Sequence, residues 1–154
     1  MTRAWVAGPE ETEAIARLLV AFRDHLGERM PPAEEMLASV ERIIAESDSE
    51  FLLASVDESS PAAGVLQLRF RWSVWKSGPD AWLEDLYIDA DARRGGLGDA
   101  LVNLAFDRAR ARGARRIELD CLEGNEPALA LYARNGFDAR SKGGQRSLLL
   151  GRQL

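Results

Sequence analysis

The sequence predicts an α/β fold, a mixed and mostly antiparallel sheet flanked by helices, in a single domain spanning residues 1–154. Three observations predict it. Residues 51–56, 64–75 and 81–89 read as strands, and over 64–75 apolar and polar residues alternate, which is strand periodicity. Around these runs lie stretches whose apolar residues recur at helical spacing. No linker, low-complexity tract or internal repeat interrupts the 154 residues, a length that supports one well-buried core and is short for two domains.

Residues 3–7 predict a short strand. Gly8-Pro9 follows, then a helix with Ile15, Leu18, Leu19, Phe22 and Leu26 on one face, ended by Gly27. After Pro31-Pro32 a second amphipathic helix carries Met36, Val40, Ile43 and Ile44, and Ser47-Asp48-Ser49 closes it. A strand over 51–56, a turn over 58–62 and a long strand over 64–75 come next. In the long strand Leu66, Leu68, Phe70 and Trp72 alternate with Gln67, Arg69, Arg71 and Ser73. Lys76-Ser77-Gly78-Pro79-Asp80 turns the chain back into a strand over 81–89. A helix from about Gly96 aligns Leu97, Leu101, Leu104, Ala105 and Ala109 and stops at Gly113. Residues 115–121 then predict a strand, 126–134 a fourth helix signed off by Asn135-Gly136, and 137–139 with 145–150 two closing strands. The order is β-α-α-β-β-β-α-β-α-β-β.

Twenty basic residues against twenty-five acidic ones give a formal charge of −5, which argues against a nucleic-acid binder resting on a basic face. A small cationic substrate suits that balance. Apolar runs such as 18–22 are far short of the roughly 20 residues of a membrane span, and the N-terminus lacks a signal peptide's apolar core, so a cytoplasmic protein without a membrane partner is expected. One cysteine, Cys121, and one histidine, His25, leave no metal-ligand cluster, and no metal is implied.

The chemistry concentrates between residues 84 and 132. Glu84-Asp85-Leu86-Tyr87-Ile88-Asp89 places two carboxylates on a strand that runs into Arg93-Arg94-Gly95-Gly96-Leu97-Gly98. Such a turn opens a helix whose first amides are unpaired and whose dipole favours an anion, so it reads as a phosphate cradle. A dinucleotide fingerprint would need glycine where Leu101 stands, and a P-loop would need a Gly-Lys-Ser/Thr ending. What remains is a diphosphate site in which Gly95, Gly96, Leu97 and Gly98 bring backbone close while Arg93 and Arg94 add charge-assisted contacts.

Arg93-x-x-Gly96-x-Gly98 resembles the acetyl-CoA-binding turn of the GNAT N-acetyltransferases, and the predicted element order agrees with that fold. Residues 83–88 and Asn125-Glu126-Pro127-Ala128-Leu129-Ala130-Leu131-Tyr132 are similar to the corresponding segments of the diamine and polyamine (spermidine/spermine, thialysine) branch. The resemblance implies an acetyl-CoA-dependent N-acetyltransferase acting on a small amine by direct attack in a ternary complex. It further implies main-chain contacts from Leu86 and Ile88 to the acyl and pantetheine arm, a hydrogen bond from Asn125 to the CoA arm, and a homodimer. Asp89-Ala90-Asp91 stands where the family often carries a proline-bearing step, a departure that predicts a looser turn.

An alkylammonium has a pKa near 10.4, so presenting a free amine at pH 7 costs roughly 4 to 5 kcal/mol and calls for a proton acceptor. Glu84 is the candidate, directly or through water; Asp85 takes a structural role, either carboxylate otherwise pairing with Arg69 or Arg71 across the hairpin. Tyr132, by resemblance, protonates the departing thiolate, and Asn125 and Tyr132, seven apart, are expected on one face of the fourth helix. Cys121 as an acyl-accepting nucleophile competes with Cys121 as a small apolar strand residue. His25 suits a helix C-terminus, with a substrate contact as the weaker alternative. Phe70, Trp72, Trp75 and Trp82 suit sheet core and hairpin cover, or an amine cage. The arginines at 108, 110, 112, 115 and 116 suit a solvated face, one of them alternatively meeting the CoA 3′-phosphate. Rival functions are an aminoglycoside or protein N-acetyltransferase and a silent acyl-CoA-binding sensor.

Overall fold

Five strands line up in the order β1-β2-β3-β4-β5: β1 (Arg3–Val6), β2 (Ser49–Ser55), β3 (Gly64–Ser73), β4 (Gly78–Ile88) and β5 (Ile117–Glu118). The first four pair antiparallel and β5 joins β4 in parallel, which gives the mixed sheet the alternation predicts. The computed structural model describes residues 1–140 and 143–154. By its internal contacts the chain forms two units, 1–119 and 120–154.

In the first unit the period of two sorts the sheet's faces. Phe51 and Leu53 of β2, Val65 of β3 and Tyr87 of β4 share one face, packed with Ile15, Leu18 and Leu19 of α1 (Thr12–His25) and Val40 of α2 (Ala33–Ile44). On the opposite face Gly64 comes close to Leu101 of α3 (Leu97–Ala111): a Cβ added there would lie 3.2 Å from the Leu101 side chain. Gly27 and Gly113 adopt positive φ just past α1 and α3, the left-handed stop that glycine permits.

The arginine-rich face of α3 is not simply solvated. Arg108 and Arg112 both reach Glu50, a β2 carboxylate only 8% exposed, and the Arg112 guanidinium also lies 4.4 Å from the Phe70 ring. Nor do Trp72 at the end of β3 and Trp75 in the turn after it form cover. Trp72 and Trp75 are 73% and 97% exposed.

β5 pairs only at Ala81↔Ile117 and Trp82↔Glu118, shorter than the strand expected over 115–121. The reason lies in β4, whose ladder with β3 carries an irregularity just beyond Trp82; a bulge bends the strand and ends pairing.

The second unit holds α4 (Glu126–Arg134), with the predicted bounds, and Gly136 at φ +87° after it. The two closing strands expected at 137–139 and 145–150 are represented among the described residues by one antiparallel bridge, Arg140↔Arg146. Three consecutive leucines, 148–150, put apolar groups on both faces of any strand there, and all three are exposed.

Candidate functional site

Leu68 of β3 stands opposite Leu83, and Gln67 stands opposite Asp85. Glu84 is therefore the extra residue of a β-bulge. It is exposed, and among the described residues no ion pair engages it. Arg69 and Arg71 face Trp82 and Asp80 in the ladder, and the Arg71 guanidinium lies 5.1 Å from the Trp82 ring, so neither arginine stands across from Glu84. A bulge is a device for re-aiming a side chain next to a site, and here it re-aims a carboxylate.

Beyond the bulge, main-chain direction follows from one bond. The Asp89 amide donates to Ala63 O at 2.8 Å, toward the β3 side, and Val65↔Tyr87 continues that side of the ladder. Alternation turns the peptide groups of Leu86 and Ile88 the other way. Among the described residues β4 pairs with β5 no further than Trp82, so these groups line a sheet edge without a strand partner within the first unit, where Ile88 O accepts from Arg93 Nε.

At its end β4 enters a single 3-10 turn, 90–92, then Arg93 in extended conformation, Arg94 at φ +65° and Gly96 at φ +81°, which caps α3. Leu97, 1% exposed, anchors the helix start in the core. Among the described residues the amides of Arg94, Gly95, Gly96, Leu97 and Gly98 donate to no protein acceptor; Ala100 makes the first helical bond, to Gly96 O at 3.0 Å. Five successive free donors at a helix N-terminus fit a diphosphate. A Cβ at Gly95 would sit 3.3 Å from Ala92 O, whereas nothing lies within 4 Å of one at Gly96, so glycine at 96 answers to backbone conformation.

The turn is not loosened by Asp89-Ala90-Asp91. Arg17 of α1 ties the Asp89 carboxylate at 3.1 Å and the Ala62 carbonyl at 2.6 Å, alongside the Asp89 amide bond. Sequence reasoning missed Arg17, because its partners lie far along the chain. Arg93, expected to contact phosphate, donates through Nε to Ile88 O at 3.1 Å and carries its guanidinium 5.7 Å from the Tyr87 ring, while Arg94, exposed like Arg93, is held by neither contact.

In the second unit Asn125 has non-helical dihedrals and caps α4, accepting from the Ala128 amide at 3.4 Å. It therefore lies outside the helix and does not share a helical face with Tyr132. Tyr132 is 8% exposed, its ring edge-on to Phe137 at 5.6 Å. Cys121 lies outside any strand, and burial, with the Asp120 charge, pushes its thiol pKa up. Such a thiol is a poor nucleophile. No cluster of three His, Cys, Asp or Glu residues fit to hold a metal occurs among the described residues.

Residues 15–137 match the family model described as acetyltransferase (GNAT) family. The mycothiol acetyltransferase of Beutenbergia cavernae is 43% identical over 68 residues, 42% of this chain and 23% of that protein, so the chain matches about a quarter of that relative's length. Glucosamine 6-phosphate N-acetyltransferase 1 of Oryza sativa is 28% identical over 84% of this chain and 78% of its own. Thialysine N-epsilon-acetyltransferase of Bos taurus is 31% identical over 54% of this chain and 49% of its own. Among solved structures, one from Arthrobacter sp. FB24 described as an acetyltransferase superposes with a TM-score of 0.87 at 29% identity, covering 99% of this chain and 96% of that one.

Proposed function

The chain belongs to the acetyltransferase (GNAT) family, and from that premise we propose that it transfers an acetyl group from acetyl-CoA to a primary amine of a small cationic acceptor, a diamine, polyamine or lysine-like amine, by direct attack in a ternary complex. The observation that carries this reading is the run of free amides from Arg94 to Gly98 at the start of α3, next along the chain to the open edge at Leu86 and Ile88.

In this reading the amides and Arg94 hold the diphosphate, and the outward peptide groups of Leu86 and Ile88 hold the pantetheine and thioester carbonyl. Glu84, freed from the ladder, takes the ammonium proton directly or through one water, and the amine nitrogen attacks the thioester carbon. The C–S bond breaks as the tetrahedral centre collapses, Tyr132 gives its proton to the leaving thiolate, whose parent thiol has a pKa near 8.5, and the extra proton still on the nitrogen passes to the Tyr132 phenolate through solvent, leaving the amide, the CoA thiol and one proton on Glu84. Asn125 serves first as the α4 cap and offers its amide NH2 to the CoA arm.

An amino-sugar acceptor is the second reading, favoured by the alignment with the rice glucosamine 6-phosphate enzyme over 84% of the chain. Free-thiol release from acetyl-CoA, measured across diamines, polyamines, lysine analogues, amino sugars and short peptides, decides between them. Turnover on an amino sugar alone replaces the cationic acceptor. CoA binding with no turnover on any amine leaves a sensor.

A further inference from the structure

Tyr87 stands one residue before an edge-facing peptide, yet its own ring passes through to the helical face, where it is 8% exposed. There it stacks on Phe22 of α1, with centroids 5.3 Å apart and planes 26° apart, and the His25 ring is 6.1 Å away. The Arg93 guanidinium lies 5.7 Å from the same ring, and its Nε closes back on Ile88 O at 3.1 Å. Arg93 is thus held between a carbonyl and an aromatic ring, and the first free amide of the cradle is the next one along the chain. Among the described residues the Tyr87 hydroxyl has no hydrogen-bond partner, so the ring itself makes these contacts.

We infer that Tyr87 is a positioning residue that couples the C-terminal end of α1 to the cofactor loop, by holding Arg93 so that the amides of Arg94 to Gly98 converge. The inference rests on the reading of that loop as the acetyl-CoA site. The Arg93 guanidinium lies near the ring while its Nε–H donates to the carbonyl, and methionine has neither the charge nor the donor to make either contact. A clamp that holds the loop in its binding conformation before ligand arrives lowers the cost of binding, so loosening it weakens cofactor binding without removing any group that touches cofactor. By the same linkage, a change at Phe22 on α1 is felt at the loop.

The test is calorimetric titration of CoA into the full chain, for wild type, Tyr87→Phe, Tyr87→Leu, Phe22→Leu, Arg93→Met and the Tyr87→Leu/Arg93→Met pair. Tyr87→Phe keeps wild-type affinity within about twofold, while Tyr87→Leu and Arg93→Met each weaken it by about 5- to 20-fold, and the pair is no weaker than its poorer member. Phe22→Leu gives a smaller loss in the same direction, and it carries the test if Tyr87→Leu does not fold. Multiplicative losses in the pair, or unchanged affinity in both Tyr87→Leu and Phe22→Leu, overturn the inference. The Arg93 Nε–H resonance of the ligand-free chain separates the two levels of the argument. A ring-shifted, exchange-protected signal without CoA binding removes the cofactor reading and leaves the clamp, whereas an unshifted, unprotected signal removes the clamp.

Discussion

Arg108 of α3 donates through Nε to both carboxylate oxygens of Glu50, at 3.2 and 3.1 Å, and through Nη2 to Oε1 at 2.5 Å, joining helix to sheet across 58 residues of sequence. Arg112 adds a further bond to the same oxygen at 3.2 Å. Burial opposes ionisation of Glu50, but the Arg108 hydrogen bonds and the charges of both arginines outweigh it and hold the carboxyl below its usual 4.5.

A carboxyl whose folded pKa lies below its unfolded one stabilises fully above about pH 4.5, and that stability is lost as pH falls through the lower folded value. Glu50→Gln is expected to cost about 2 to 3 kcal/mol at pH 7, toward the lower end for a buried pair because Arg108 is partly exposed. Urea unfolding at several pH values checks this. The gap to wild type should shrink toward pH 3, and a gap constant from pH 7 to 3 would refute an ionic origin.

Gly96 offers a separation of fold from binding. Its φ of +81° excludes β-branched residues, yet a side chain meets nothing within 4 Å. Gly96→Val should lower stability by about 1 to 2 kcal/mol, whereas Gly96→Asn, which tolerates this conformation, should keep near-wild-type thermal stability. On the proposed reading both should weaken CoA binding by at least about tenfold, because a side chain would enter the space beside the backbone that the diphosphate is proposed to occupy. Thermal melts with and without CoA read both quantities.

Glu84→Gln removes the carboxylate proposed as proton acceptor and leaves the turn at 94–98 untouched. Thiol release should fall by about 10²-fold with CoA affinity unchanged, the lower end of what general-base loss costs. A variant with wild-type turnover would assign the proton to another group or to solvent.

Cys121→Ser should retain turnover within about twofold, because a thiol whose pKa is raised by burial and Asp120 holds little thiolate at pH 7. Mass spectrometry of the chain after exposure to acetyl-CoA without acceptor should show no acetyl adduct at Cys121. An adduct that transfers to amine would establish a two-step mechanism.

The sequence by itself determined the helices and their ends, since Gly27, Gly113 and Gly136 each take the positive φ that stops a helix. It also determined a turn of unpaired amides at the start of α3, because the first amides of a helix have no partner within it. These are local properties: spacing, capping and backbone freedom are written within a few residues. Only the tertiary structure decided that Glu84 is the bulged residue of β4, that β5 stops after two residues, and that Glu50 claims Arg108 and Arg112 from the face of α3. Only it folded Arg93 back onto Tyr87 and tied Asp89 to Arg17. Strand register and the choice of partner for a charge depend on which distant residues arrive opposite, and one periodicity is compatible with several registers until packing selects among them.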